Sequence, residues 1–288
     1  MLADDFRFPR PGRENLPRLA RLACETAATH CGDCRNYHTT WPALRAAGLS
    51  GAGPEHNYQL HLQLLSELMA GRSEVRWLLA GSADAGVLGM AQGTAEAMQG
   101  TRHEFTVVDR CATPLTLCRS HADEHGLSLA TVLADLMAFQ APGAFDIVIG
   151  HQLLTFFKDE DRLPFFRHAA SWLAPGGKLC LTVYDRGESS RPRADISSDL
   201  YAWRTRNLRA DVAAGRTELP EDLEAFIARI ERQPRRFNGE RQFGIDHYLG
   251  LLREAGLAAR TLPLPDAEPR PFGDPSDRLR YLLVAERL

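Results

Sequence analysis

The residues best suited to chemistry are a run of small residues, two acids and a histidine, each at the end of an apolar segment. Trp77-Leu78-Leu79 gives way to Ala80-Gly81-Ser82-Ala83-Asp84-Ala85-Gly86, after which a helical pattern begins. A loop this small lets a ligand press against the backbone, and a helix N-terminus offers free N–H groups. Close packing of a strand-to-helix turn would require small residues as well. Asp109 ends the apolar run FTVVD. A carboxylate at about twenty to thirty residues after such a loop can accept from both hydroxyls of a ribose. Its plainer role is to cap the helix that starts near Thr113; the preceding loop favours the ribose. Asp135 ends TVLAD and can accept from an adenine amino group, with Leu136 and Met137 against the ring; here too a cap is the alternative. His151 follows FDIVIG, where it could take a proton, position a substrate or rest on backbone contacts.

A second group lies near the N-terminus. Cys24, Cys31, Cys34 and His38 occur as C-x6-C-x2-C-x3-H. Three thiolates and an imidazole could hold zinc tetrahedrally. Free thiols on a helix and its turn are the alternative. The irregular spacing and the lack of a second Cys-x2-Cys favour free thiols, so no metal is expected. The following segment offers Tyr37, His38, Trp41 and Arg45, which would either wall a substrate pocket or pack as a helix around an anchor tryptophan. Tyr201, with Trp203, Arg204 and Arg206, is a second-tier candidate for substrate contact.

These groups need elements to position them. Apolar strands are expected at 75–80, 104–109, 129–134, 145–150, 178–184, 257–263 and 280–286. Helical patterns at 86–99, 113–125, 160–173 and 246–255 lie between most of them. Alternating β and α elements imply a mostly parallel sheet covered on both faces, and such sheets bind ligands at their carboxyl edge. Three helices precede the sheet, at 16–30, about 39–47 and about 55–69, after a polar, proline-containing arm over 1–15. The first 72 residues therefore read as a helical cap and residues 73–288 as the main domain. An insertion at about 187–245 carries helical patterns near 196–214 and 220–232, with Pro220 opening the second. An excursion of that length serves either as a lid or as a buttress.

Bulk properties narrow the partners. The 288 residues carry a net charge of −3, so no strongly basic face supports nucleic-acid binding. No apolar run reaches the roughly 18–20 residues needed to span a bilayer. The N-terminus lacks the apolar core of a signal peptide, which implies a cytoplasmic protein. The six cysteines are then expected to be free thiols or ligands. Lys158 and Lys178 are the only lysines, a bias that fits a GC-rich bacterial genome.

The order of these pieces is small-residue loop, Asp109, Ala134-Asp135, FDIVIG, LAPGGKL and a late DHYLGLLREAGL helix before two final strands. It resembles the class I S-adenosylmethionine-dependent methyltransferases, firmly over 75–185 and more loosely over 242–288. The resemblance implies an α/β fold: a seven-stranded, mostly parallel, doubly wound sheet, with the N-terminal helices and the insertion between strands five and six as a cap. It implies S-adenosyl-L-methionine as cofactor and S-adenosyl-L-homocysteine as product. Gly81, Ser82, Ala83 and Gly86 would approach the methionine moiety, Asp109 and Arg110 the ribose, and Asp135 and Leu136 the adenine. His151 would stand near the methyl group, with His38 and Tyr37 as further catalytic candidates and Trp41, Arg45 and Tyr201 on the substrate side.

The chain departs from the family at the end of its first strand, where Leu79 or Ala80 replaces the usual acid and two glycines are lost. Asp84 would either stand in for that acid or cap the next helix. Gly-His-Gln-Leu after strand four differs from the Asn/Asp-Pro-Pro-Tyr/Phe of many nucleobase and glutamine methylating enzymes. A small-molecule acceptor is therefore expected, with no nucleic acid or membrane partner and a homodimer as one arrangement. A catalytically silent cofactor-binding protein and a non-methylating enzyme on the same scaffold are the alternatives.

Overall fold

A computed structural model describes residues 15–46, 58–185, 202, 205–210, 212–215, 219, 221–232, 244–264 and 279–288. The expected N-terminal arm, apart from Asn15, and much of the 187–245 insertion lie outside these residues.

Three helices come first: α1 (Leu16–His30), α2 (Arg35–Ala46) and α3 (Tyr58–Leu68). Pro17 suits the first turn of α1, where its missing N–H has no intrahelical partner to lose. Helix α2 starts four residues before the expected Thr39. Its first turn closes on the cysteine pair, the His38 amide donating to the Cys34 carbonyl at 3.1 Å.

The sheet follows as β1 (Glu74–Ala80), α4 (Gly86–Ala97), β2 (Arg102–Asp109), α5 (Ala112–His125), β3 (Leu129–Leu133) and β4 (Phe145–His151). Next come a 3-10 turn (Leu153–Phe156), α6 (Asp159–Trp172) and β5 (Leu173–Asp185). After the insertion's helix α7 (Leu223–Arg232), the chain ends with α8 (Ile245–Glu254), β6 (Leu257–Leu264) and β7 (Leu279–Arg287). The seven strands are ordered β3-β2-β1-β4-β5-β7-β6. The first five run parallel, and β7 lies antiparallel between β5 and β6. This is the doubly wound sheet that the alternating pattern predicts. One local difference concerns Pro175-Gly176-Gly177, expected as a turn before a strand at 178. Strand β5 already starts at Leu173, and these residues form an irregularity against β4, where Phe145 pairs with Leu173 but Ile147 with Lys178. Gly177 is required there, since a Cβ would lie 2.8 Å from the Phe145 carbonyl oxygen.

Alternation along β1 divides the core. Trp77 and Leu79 face one side, with Val107, Ile147 and residues of α1, α3, α4 and α5. Leu78 and Ala80 face the other, with Val148, Leu181 and the Phe165, Phe166 and Trp172 side chains of α6. The first and third helices thus share a core with the sheet. A third apolar cluster joins Ala20 of α1 and Ala43 and Leu44 of α2 to Leu208, Phe226 and Ile227 of the insertion. Among the described residues no helix is long and apolar enough to cross a membrane.

Candidate active site

The strand order places the switch point between β1 and β4: successive strands run outward from β1 to β3, and the chain then crosses back to pair β4 with β1. Crevices at the carboxyl edge of such a point are the usual ligand sites of open α/β sheets. Gly81 follows β1 there, Asp109 ends β2 and His151 ends β4.

The loop after β1 and the acid after β2 form one unit. Gly81 turns the chain with φ of +70°, and its amide donates to the Val108 carbonyl at 2.9 Å. The Ser82 amide donates to Asp109 Oδ2 at 2.9 Å, and the Cys111 amide to Asp109 Oδ1 at 2.7 Å. Each carboxylate oxygen keeps a free lone pair, the acceptor capacity that two adjacent hydroxyls need. A Cβ on Gly81 would lie 2.9 Å from Leu153 Cδ1 and would carry a left-handed backbone. Gly81→Ala is expected to cost about 1–2 kcal/mol from the backbone alone. A thermal melt should show the loss, and calorimetry with S-adenosylhomocysteine should show weaker binding; an unchanged melt would contradict it.

Burial pushes the Asp109 carboxyl above its ordinary value, opposed by the Ser82 and Cys111 amides. This has a sign for ligand binding. The ionised carboxylate accepts two hydroxyls and the neutral acid does so poorly, so affinity is full above the raised pKa and falls as the pH drops through it. The decline should begin at higher pH than for an ordinary aspartate near 3.9. Calorimetry from neutral to mildly acid pH should show it, and Asp109→Asn should give a flat profile over the same range.

Helix α2 lies across this loop. Arg45 Nη1 donates to Asp84 Oδ1 at 2.7 Å, with the two side chains only 10% and 5% exposed. The same oxygen accepts the Gly86 amide at 2.8 Å, so Asp84 also anchors the start of α4. Asp84 Oδ2 is buried with no hydrogen-bond partner. Gly86 makes room for the guanidinium: a Cβ there would fall 1.3 Å from Arg45 Nη1. Gly86 thus lets α2 approach the start of α4. Arg45, expected on the substrate side, is held here by the buried Asp84 carboxylate.

His38 is buried, and its Nδ1 lies 3.3 Å from the Ala83 carbonyl oxygen. Its ring hydrogen-bonds with Cys111. Tyr37, the preceding residue, meets the His38 ring edge-on at 5.1 Å. Its ring meets Phe156 of the 3-10 turn edge-on at 5.5 Å, and Trp41 at 6.1 Å. Burial, with Asp84 and Asp109 nearby, pushes the Tyr37 phenol up, so it remains protonated at neutral pH. Trp41 packs toward the cluster shared by α2 and the insertion.

Asp135 follows β3, with Oδ1 accepting the Met137 amide at 2.8 Å. Leu136 is buried, with Cδ1 3.9 Å from the Cβ position of Gly81. Arg110 is exposed beside Asp109. His151 is half-buried, and after it Gln152 adopts φ of +53°, its amide donating to the Thr182 carbonyl at 3.0 Å. A left-handed residue without glycine's freedom is uncommon and tends to mark a functional turn. No sequence signal announces it. Tyr201, Trp203 and Arg204 lie outside the described residues.

The cysteines also regroup. Cys31 and Cys34 gather around Cys111, while Cys24 lies outside the group. Burial pushes Cys31 up to about 12, opposed by the Thr113 hydroxyl and reinforced by Cys111. At Cys111 burial also raises the thiol, but hydrogen bonds with His38 and the Thr113 amide outweigh it and bring it down to about 6. Cys111, two positions past Asp109, is the residue that sequence reasoning missed.

The likeness to known proteins agrees with this geometry. The seven-stranded sheet is the Rossmann-like methyltransferase fold, and the methyltransferase domain matched within it implies S-adenosylmethionine as cofactor. Within it, residues 86–177 match the family model described as a methyltransferase domain. Among solved structures, a Haemonchus contortus phosphoethanolamine N-methyltransferase 2 is similar, with 12% identity and a TM-score of 0.57; the match covers 89% of this chain and 60% of that one. The [4+2]-cyclase SpnF has 16% identity and a TM-score of 0.55, over 87% of this chain and 93% of that one. The Burkholderia thailandensis 1,6-didemethyltoxoflavin-N1-methyltransferase has 17% identity and a TM-score of 0.52, covering 86% and 84%. No curated protein sequence matches the chain.

Proposed function

We propose that this methyltransferase acts on a small-molecule acceptor with an O, N, S or C nucleophile, and that residues 1–72 and the 187–245 insertion cap its site. The observation that carries the reading is the unit of Gly81, Ser82 and Asp109, with α2 lying over it. Bound S-adenosylmethionine supplies an electrophilic methyl on a sulfonium. The chain's part is to hold and enclose. Asp109 receives the ribose hydroxyls, with Arg110 beside it. Asp135 accepts from the adenine amino group and Leu136 lies against the ring. The backbone from Gly81 to Ala83 borders the methionine portion, and the orphaned Asp84 Oδ2 would accept from its ammonium.

Tyr37, Trp41 and Phe156 give an aromatic wall that keeps water from the acceptor. In a dry site, alignment at near-attack distance accounts for most of the rate, and His151 orients the acceptor or takes its proton. The cytoplasm, a homodimer and the absence of nucleic acid or membrane partners belong to the same proposal. A second reading, adenosylmethionine-dependent chemistry without methyl transfer, is favoured by the likeness to the cyclase.

Calorimetry with S-adenosylmethionine and S-adenosylhomocysteine, followed by turnover on a panel of small nucleophiles, tests these readings. Binding of both, with S-adenosylhomocysteine formed in step with a methylated product, is expected. Binding without its formation on any acceptor supports the second reading. No binding by the folded protein overturns both.

A further inference from the structure

Three sulfurs from separate parts of the chain meet beside Asp109. Cys31 Sγ lies 3.5 Å and Cys34 Sγ 3.7 Å from Cys111 Sγ, and all three are within 4.8 Å of one another. Zinc–thiolate bonds of about 2.3 Å set tetrahedral edges of about 3.8 Å, so the spacing is that of three vertices around one ion. It is far from the roughly 2.05 Å of a disulfide, and three sulfurs leave one over in any pairing.

The three sulfurs sit at helix ends, and the surroundings of Cys111 favour its thiolate. Cys31 closes α1, Cys34 immediately precedes α2 and Cys111 is the N-cap of α5. Two of the sulfurs therefore sit at the positive ends of helices. Thr113 Oγ1 is 3.1 Å from Cys31 Sγ, placed to donate to it. His38 stands one turn beyond Cys34. Its Nδ1 lies 3.3 Å from the Ala83 carbonyl oxygen, and its ring hydrogen-bonds with Cys111.

We propose that Cys31, Cys34 and Cys111 bind one thiophilic divalent ion, zinc, with the fourth position left to water or an exogenous ligand. The ion replaces the protons of those thiols still protonated. It fastens α1 and α2 to the turn that carries Asp109, so the cap and the ribose site are tied by metal as well as by the Arg45–Asp84 pair.

The test uses the full chain, purified in reductant without chelator, with metal content measured directly. The stripped protein is then titrated with zinc or cobalt ions alone. One zinc per chain is expected, with an intense thiolate-to-cobalt charge-transfer band. Cys111→Ser should lower zinc affinity by more than about tenfold, the scale on which even outer-shell partners of a metal act. Cys24→Ser should leave affinity and band unchanged, and Cys111→His should retain zinc with a weaker band. Circular dichroism checks folding, and Cys31→Ser carries the same expectation where Cys111→Ser does not fold. The proposal is overturned if the folded protein binds no stoichiometric metal. It is equally overturned if Cys24→Ser is as damaging as Cys111→Ser, or if thiol counting finds a disulfide within the trio. No step reads methyl transfer, so failure here leaves the proposed function standing.

Discussion

Asp109→Ala is expected to weaken binding of S-adenosylmethionine and S-adenosylhomocysteine by about 100-fold. Hydrogen bonds to a charged group contribute about 1.5–3 kcal/mol each, and every 1.4 kcal/mol is about tenfold. The two ribose hydroxyls would thus account for the loss even after partial replacement by water. The same carboxylate receives the Ser82 and Cys111 amides, so alanine also leaves two backbone donors unmet and loosens the loop. Asp109→Asn separates the two effects. It keeps an oxygen for one amide but not the charge or the second acceptor, and should still lose most of the affinity while recovering part of the stability that alanine loses. Unchanged calorimetric affinity in a folded variant would remove Asp109 from the ribose.

Arg45→Met should have the largest effect on stability, lowering it by about 3 kcal/mol, because it strands a buried carboxylate without its cation. For domains of roughly 150–250 residues, 1 kcal/mol shifts the melting temperature by about 2–4 °C, so a fall of about 6–12 °C is expected. Methionine keeps much of the bulk, so the loss reports the ion pair more than the packing. The double change Arg45→Met with Asp84→Leu should recover part of the stability, since replacing both members of a buried pair is tolerated better than removing one. Additive losses in the melts would mean that the pair is not coupled. Cofactor affinity should fall with Arg45→Met as well, because α2 loses its hold on the loop.

Much of this arrangement is legible in the sequence. Period-two and period-3.6 patterns place the seven strands to within a few residues, and the positions of Gly81, Asp109, Asp135 and His151 at strand ends follow directly. What the sequence conceals is long-range pairing of polar groups. Asp84 could be read as a cap or as a ligand acid; that it meets an arginine 39 positions earlier depends on how α2 crosses the sheet edge. The cysteines show the same limit. Proximity in the chain suggests Cys24 with Cys31 and Cys34, but Cys24 lies on the body of α1, whereas Cys31 and Cys34 flank the turn that meets Cys111. Gln152 was hidden for another reason: left-handed backbone is announced by glycine, and here none stands at that position.

The cluster of Ala20, Ala43, Leu44, Leu208, Phe226 and Ile227 has a consequence for how such a protein can diverge. Its members come from two stretches far apart in the sequence, 20–44 and 208–227, yet each fills space left by the others. A larger side chain at Leu44 demands a smaller one near Phe226, and neither change need disturb Asp109 or the sheet. The two stretches are therefore bound to vary together. Kindred enzymes that differ in what they accept should differ in matched pairs across this cluster, with the cofactor's surroundings inherited almost untouched.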